Sequence, residues 1–283
     1  MASARVAPDI SPSASKLAND DGGSRPVALV TGASSGIGAD LARELARDGY
    51  DLVVTGRRVE PMETLAEELK VHGASTIVIA SDLGQAGAAA RLIEEIESQR
   101  VTIDVLINNA GVGAHGRFDQ TDPVRIGEML QVNIVALTEL TRLLLPGMVA
   151  RRSGRVMLVA STASFQPGPQ MAVYFASKAY VLSLGEAIAY ELRGTGVTVT
   201  TLCPGATATN FNKVAGTENL AVLKSSMNPM MTSAEVARIG YQALKAGRRV
   251  VVTGLINKIM AITGRLVPRA VSLSLANSMM SKK

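Results

Sequence analysis

Tyr174 and Lys178 stand four residues apart in a stretch, 173–193, whose apolar pattern predicts a helix, so both side chains project to one side. A free phenol titrates at about 10 and is a poor proton donor or acceptor at neutral pH. An ammonium held beside it favours the phenolate and brings that pKa toward the working range. The pair is therefore a candidate acid–base centre. A second chemistry is written in Thr31-Gly32-Ala33-Ser34-Ser35-Gly36-Ile37-Gly38, directly after the apolar run Val27-Ala28-Leu29-Val30. A buried strand entering a glycine-rich turn and then a helix brings backbone N–H groups up to a pyrophosphate. Gly32 permits the tight turn, Gly36 lets backbone approach the ligand, and Gly38 lets the helix pack close to the strand.

The elements that must position these groups follow from the spacing of apolar residues. Strand-like runs occur at 26–31, 51–55, 75–80, 103–107, 155–160, 197–202 and 249–252. Helical patterns lie between them at 37–48, 60–72, 85–100, 122–151, 173–193 and 233–246. This alternation predicts an α/β fold: a doubly wound parallel sheet of about seven strands with helices on both faces. Right-handed crossovers bring the strand ends to one edge, where such sheets bind cofactors.

Four more features follow in order: Asn108-Asn109-Ala110-Gly111, Asn133, Ser161 and Tyr174-Phe175-Ala176-Ser177-Lys178. Together with the Gly-x-x-x-Gly-x-Gly turn, they resemble the short-chain dehydrogenase/reductase family over about residues 26 to 252. The resemblance implies a Rossmann-like, NADP-preferring oxidoreductase in which Tyr174 is the acid–base group. It implies that Lys178 also holds the nicotinamide ribose, that Ser161 polarises the substrate oxygen, and that Asn133 supports a water linking Lys178 to solvent. Asn109, Ala110 and Gly111 would line the cofactor floor, and Asp82-Leu83 would border the adenine. Pro204-Gly205-Ala206-Thr207-Ala208-Thr209 matches the family's turn after the sixth strand, with Thr207 among its cofactor contacts and Thr209 at the carboxamide. Each residue also admits a plain reading. Tyr174 could be a helix-face aromatic, Ser161 a cap, Asn133 a helix-interior polar group, and Asp82 the N-cap of a helix over 84–100.

The second strand ends at Thr55-Gly56-Arg57-Arg58. In this fold the residue just past that strand faces the adenosine ribose, where an acidic side chain would repel a 2′-phosphate. Arg57 and Arg58 present guanidinium forks instead, so NADP(H) is the expected cofactor. The same tetrapeptide and Asn109-Ala110-Gly111-Val112-Gly113 tilt the resemblance toward acyl- and steroid-reductase-like members.

The chain has 283 residues, 47% hydrophobic and 19% charged, enough for one large globular domain. Residues 1–25 read as a disordered leader, 26–254 as the catalytic domain, and 255–283 as a basic amphipathic extension. No run of about 18 uncharged apolar residues occurs, so no transmembrane helix is expected. One cysteine, Cys203, reads as a small buried hydrophobe, and with two histidines no metal site is expected. A reduced, cytoplasmic setting is the default. The net charge of +5 is unevenly placed: 20 Lys and Arg against 24 Asp and Glu up to Glu235, a net −4, then nine bases and no acid. Few aromatics and no binding motif argue against nucleic acid as a partner.

The segment 206–232 is where the family builds a substrate lid, and it carries Phe211, Val214, Leu220, Val222, Leu223, Met227, Met230 and Met231. That suits an apolar substrate, though a packed core or subunit contact explains it too. His115 reads as a surface-loop residue. In the extension, Leu255, Ile259, Ile262, Leu266 and Leu273 fall on one helical side beside Lys258, Arg265 and Arg269, with Pro268 dividing the helix. Such a helix packs over the cleft, meets a partner subunit, or lies peripherally on an anionic membrane. The expected molecule is an NADPH-dependent carbonyl reductase acting as a homodimer or homotetramer. The rival is a non-catalytic NADP(H)-binding sensor or scaffold, which predicts damage to Asn133, Ser161, Tyr174 or Lys178; all four are present.

Overall fold

Runs such as Val27–Thr31 are apolar on both faces, and only a sheet covered by helices on both sides buries them. A computed structural model of the chain describes residues 25–218, 220, 230–263 and 269–280. In chain order it contains β1 (Val27–Thr31), α1 (Gly36–Arg47), β2 (Asp51–Gly56), α2 (Val59–Leu69), β3 (Thr76–Ala80), α3 (Ala88–Ser98) and β4 (Val105–Asn108). Next come α4 (Pro123–Leu130), α5 (Leu137–Ala150), β5 (Gly154–Val159), α6 (Ala172–Glu191) and β6 (Val197–Cys203). The chain continues through β7 (Thr207–Ala208), α7 (Phe211–Val214), β8 (Met231–Thr232), α8 (Ser233–Lys245), β9 (Val250–Val252), α9 (Leu255–Thr263) and α10 (Arg269–Met280).

The large sheet is parallel, in the order β3-β2-β1-β4-β5-β6-β9. Leu29, Val53, Leu106 and Val156 face one helical layer through Ile93, Leu140 and Val181 of α3, α5 and α6. Val30, Leu52, Ile107 and Met157 face the other through Leu41, Leu65 and Val236 of α1, α2 and α8. Each such side chain stabilises the fold by about 1.5–3 kcal/mol on burial. Strand order reverses between β1 and β4, and the crevice of such a sheet opens there, at the carboxyl ends.

Three local departures from the sequence reading bear on the site. The helix expected over 122–151 is broken by a π turn, Gln131–Ala136, between α4 and α5. π turns accommodate one extra residue and concentrate at functional positions. Although Pro123–Ala150 is long and apolar enough by composition to cross a membrane, Leu137, Leu140 and Thr141 are buried on its inner side. A core helix passes the same composition test. Second, Asp82 does not cap the following helix. Its carboxylate accepts from Gly84 N at 3.0 Å, while α3 begins only at Ala88 with Gly87 at its N-cap. Third, β7 and β8 pair in a two-stranded sheet that joins the two ends of the 206–232 segment. Arg25, grouped by composition with the leader, is tied down: it donates to Gly49 O at 3.0 Å and Gly73 O at 2.7 Å.

Candidate active site

A cavity of about 840 Å³ opens at the carboxyl ends of the strands. One end is built by the turn between β1 and α1, where Gly32, Ser34, Ser35, Gly36 and Ile37 line the wall. Gly32 has φ +66°, and a Cβ there would lie 2.9 Å from Ala110 Cα. A side chain at Gly38 would drive into the Gly32 carbonyl and the Asn109 amide, so Gly38 serves helix–strand packing and does not reach the cavity. Ser35 occupies the N-cap position of α1 without a side-chain cap bond, leaving the first amides of the helix to an anion.

The floor is stapled by hydrogen bonds the sequence did not disclose. Thr31 Oγ1 accepts from the amides of Asn109 and Ala110, both at 3.0 Å, and donates to Ile107 O at 3.2 Å. Asn109 Nδ2 returns a bond to Thr31 O at 2.9 Å. Asn109, Ala110 and Gly111 line the cavity, and Asn109 also braces the backbone of the glycine turn. Asp82 and Leu83 border the same end, and Pro204, Gly205, Thr207 and Thr209 close the opposite wall.

Arg57 and Arg58 also line this end, but Arg57 is not a free cation. Its guanidinium donates to Glu128 Oε1 at 2.8 Å, and Arg125 holds the other carboxylate oxygen at 2.8 Å. Arg58 donates to Ser34 Oγ at 3.3 Å. Glu128, absent from the sequence reading, thus holds Arg57 at this end of the cavity.

Toward the centre, Ser161, Tyr174 and Lys178 share one wall. Ser161 follows β5 and caps the short helix Thr162–Phe165, accepting from Ala163 N at 3.1 Å. The cap reading therefore holds, and the same residue lines the cavity. Its hydroxyl is also hydrogen-bonded to Tyr174. Lys178 is buried, and its Nζ donates to Val159 O at 2.9 Å. Burial lowers its pKa to about 8, against a weaker upward pull from Cys203, which is itself buried as expected.

The phenol departs from expectation. Burial raises the Tyr174 pKa, and the Ser161 hydrogen bond offsets this only in part. The Lys178 ammonium sits 5.9 Å from the ring centroid and donates to the Val159 carbonyl, but it loses its proton at about 8, below the range in which the phenol ionises, so it does not bring the phenol down. In this state the hydroxyl keeps its proton.

Asn133 does not reach the cavity. Lying in the π turn and fully buried, it accepts from Val112 N and donates to Val112 O, both at 2.9 Å, and donates to Ser177 Oγ at 3.0 Å. Ser177 in turn donates to Tyr174 O at 2.7 Å. The side chain ties the loop after β4 to the helix that carries Tyr174 and Lys178.

The third region is apolar. Met171, Phe175, Phe211 and Leu220 line it, with the Phe211 ring 5.3 Å from the Tyr174 ring. Met260, Ala261 and Met280 of α9 and α10 join them, so the extension walls the cavity. Of the expected lid residues, Val214 also lines the cavity, Met231 is partly buried against the core and Met230 is exposed. Val222, Leu223 and Met227 lie outside the described residues. His115 is partly buried and not a free surface residue: its amide donates to Ala215 O at 3.0 Å, and Nε2 lies 2.9 Å from Met280 O.

Known proteins share this fold. The family profile of short chain dehydrogenases matches residues 26–219. A short chain dehydrogenase of Pseudocercospora fijiensis is 34% identical over 206 residues, 72% of this chain but 65% of that protein's length. The ketoacyl reductase HetN of Nostoc is 32% identical over 249 residues, covering 86% of this chain and 85% of that one. Among solved structures, a Sphingobium yanoikuyae short-chain dehydrogenase in complex with NADPH superposes with a TM-score of 0.74 at 29% identity, over 84% of this chain and 92% of that one. The chain is an oxidoreductase of the short chain dehydrogenase family.

Proposed function

We propose that this chain interconverts a hydrophobic ketone or aldehyde with its alcohol, using NADP(H), with Tyr174 as the proton donor and acceptor. The observation that carries this reading is the convergence of Ser161, Tyr174 and Lys178 on one wall, between an anion-binding turn with two arginines and an apolar chamber. The NADPH in the Sphingobium structure and the ketoacyl substrate class of HetN support it from outside.

The donor set fits the cofactor. Gly32 to Ile37 and the start of α1 would receive its pyrophosphate, and Arg57 and Arg58 its 2′-phosphate. Asp82 and Leu83 would border the adenine, while Lys178, Thr207 and Thr209 would hold the nicotinamide half. When bound, the reduced nicotinamide supplies hydride to the carbonyl carbon. Ser161 donates a hydrogen bond to the carbonyl oxygen, and Tyr174 Oη gives that oxygen its proton. A phenol kept protonated by burial is suited to this direction. Lys178, with its pKa near enough to neutral, restores the proton to Tyr174. In alcohol oxidation each transfer reverses, and Tyr174 must first release its proton. Asn133 is a positioning residue for α6.

A panel of aldehydes, ketosteroids, 3-oxoacyl thioesters and diketones with NADPH, followed by the loss of reduced-nicotinamide absorbance, tests the assignment. Acceptor-dependent oxidation, faster with apolar than with polar carbonyls, is expected. NADPH binding without acceptor-dependent oxidation across the panel would overturn it in favour of a sensor.

A further inference from the structure

Helix α9 is amphipathic in an inverted sense, and α10 also turns large aliphatic side chains to solvent. On α9 the residues turned inward are Asn257 and Ala261, only 6% and 7% exposed. Leu255, Ile256, Ile259 and Ile262 face solvent, between 41% and 73% exposed. On α10 Ala276 and Met280 are buried, whereas Val271, Leu273 and Leu275 are 41% to 56% exposed. Seven large aliphatic side chains thus stand outward on two consecutive helices, a density that soluble surfaces rarely carry without a partner. The inward Asn257 is spent on Thr253 O at 2.8 Å, so the helix is seated by its polar side.

Charge identifies the partner. From Leu255 to Lys283 the sequence carries Lys258, Arg265, Arg269, Lys282 and Lys283 and no acidic residue. Of these, Lys258 stands exposed on α9, and a second copy meeting this face by two-fold symmetry would bring it to a segment that offers no acid. Anionic lipid takes both features: apolar side chains enter the boundary between headgroups and acyl chains, and cations meet the negative surface. We propose that the outer faces of α9 and α10 dock this protein on an anionic membrane surface. Because Met260, Ala261 and Met280 on the same helices wall the cavity, docking sets the apolar end of the cavity next to the lipid.

Co-sedimentation of the full chain with vesicles of phosphatidylcholine alone, or mixed with phosphatidylglycerol, tests this. Binding to the mixed vesicles, released by high salt and weak on phosphatidylcholine, is expected. Leu255→Ser with Ile259→Ser and Ile262→Ser should abolish binding while thermal unfolding stays in place. Each charge near an anionic surface changes partitioning roughly fivefold, so Lys258→Glu, a change of two charges, should weaken binding roughly 25-fold and tests the idea even if the triple variant misfolds. Wild-type chain that sediments with neither vesicle, or equally with both, overturns the proposal. So does a triple variant that keeps binding, or one whose main effect in sedimentation equilibrium is to dissociate an oligomer, which would give this face to a second copy.

Discussion

Tyr174→Phe is expected to bind NADPH as the unaltered chain does and to reduce carbonyls roughly 100- to 10,000-fold more slowly, the span that a positioned acid–base group contributes. Only the hydroxyl is removed. The ring keeps its packing against Phe175 and Phe211, at 6.1 and 5.3 Å between centroids, so folding and cofactor binding should be spared. Fluorescence titration with NADPH and steady-state turnover on the best substrate of the panel separate the two effects. The pH dependence has a fixed sign. Burial raises the Tyr174 pKa, so its acid form is present across the neutral range and reduction does not lack a donor there. Lys178 loses its proton as pH rises through about 8, which removes the proton source behind Tyr174. Reduction should therefore be level below about pH 8 and fall above it, while alcohol oxidation, which needs the phenol to ionise, should rise with pH. Lys178→Met should erase the break near pH 8 in the profile.

Replacing Arg57 and Arg58 together by Ala should weaken NADPH binding by about 2–4 kcal/mol, roughly 30- to 900-fold, as expected for two charge-assisted contacts to one phosphate. NADH binding should hardly change. Equal weakening of both cofactors would remove the 2′-phosphate assignment. The structure adds a second arm. Glu128 occupies the Arg57 fork at 2.8 Å and would compete with an arriving phosphate. Glu128→Gln should tighten NADPH by up to about fivefold, the worth of one exposed ion pair, and leave NADH unchanged. Isothermal titration with both cofactors reads all four numbers.

Why some of this was legible in the sequence and some not has physical reasons. Strands such as Val27–Thr31 are apolar on both faces, which few other elements can be, so their places and their parallel pairing could be read directly. The glycine turn, the Tyr174–Lys178 pair and Ser161 were legible because local spacing carries them. The π turn at Gln131–Ala136 was not, since one extra residue inside a long apolar helix leaves its composition unchanged. Main-chain partners carry no side-chain signature: nothing in Val159 announces that its carbonyl holds Lys178, or in Val112 that it pairs with Asn133. Glu128 lies 71 positions from Arg57, beyond the reach of any local pattern. Periodicity found an apolar side on 255–263 but not its direction, and the structure turns Leu255, Ile259 and Ile262 outward.

The electrostatic expectation for Tyr174 failed for a related reason. Helical spacing puts an ammonium near a phenol, yet it does not show that the ammonium is already bound to a carbonyl or that burial weighs on both groups. The outcome changes the chemistry in emphasis: a retained proton suits carbonyl reduction better than alcohol oxidation.

The most direct measurement is a crystal structure of the chain with NADP⁺ and an unreactive ketone or alcohol analogue. Expected are Tyr174 Oη and Ser161 Oγ both about 2.6–3.2 Å from the analogue's oxygen, with its carbon facing the nicotinamide ring. A Tyr174 hydroxyl turned away from that oxygen, with the analogue bound elsewhere in the cavity, would contradict the role assigned to it.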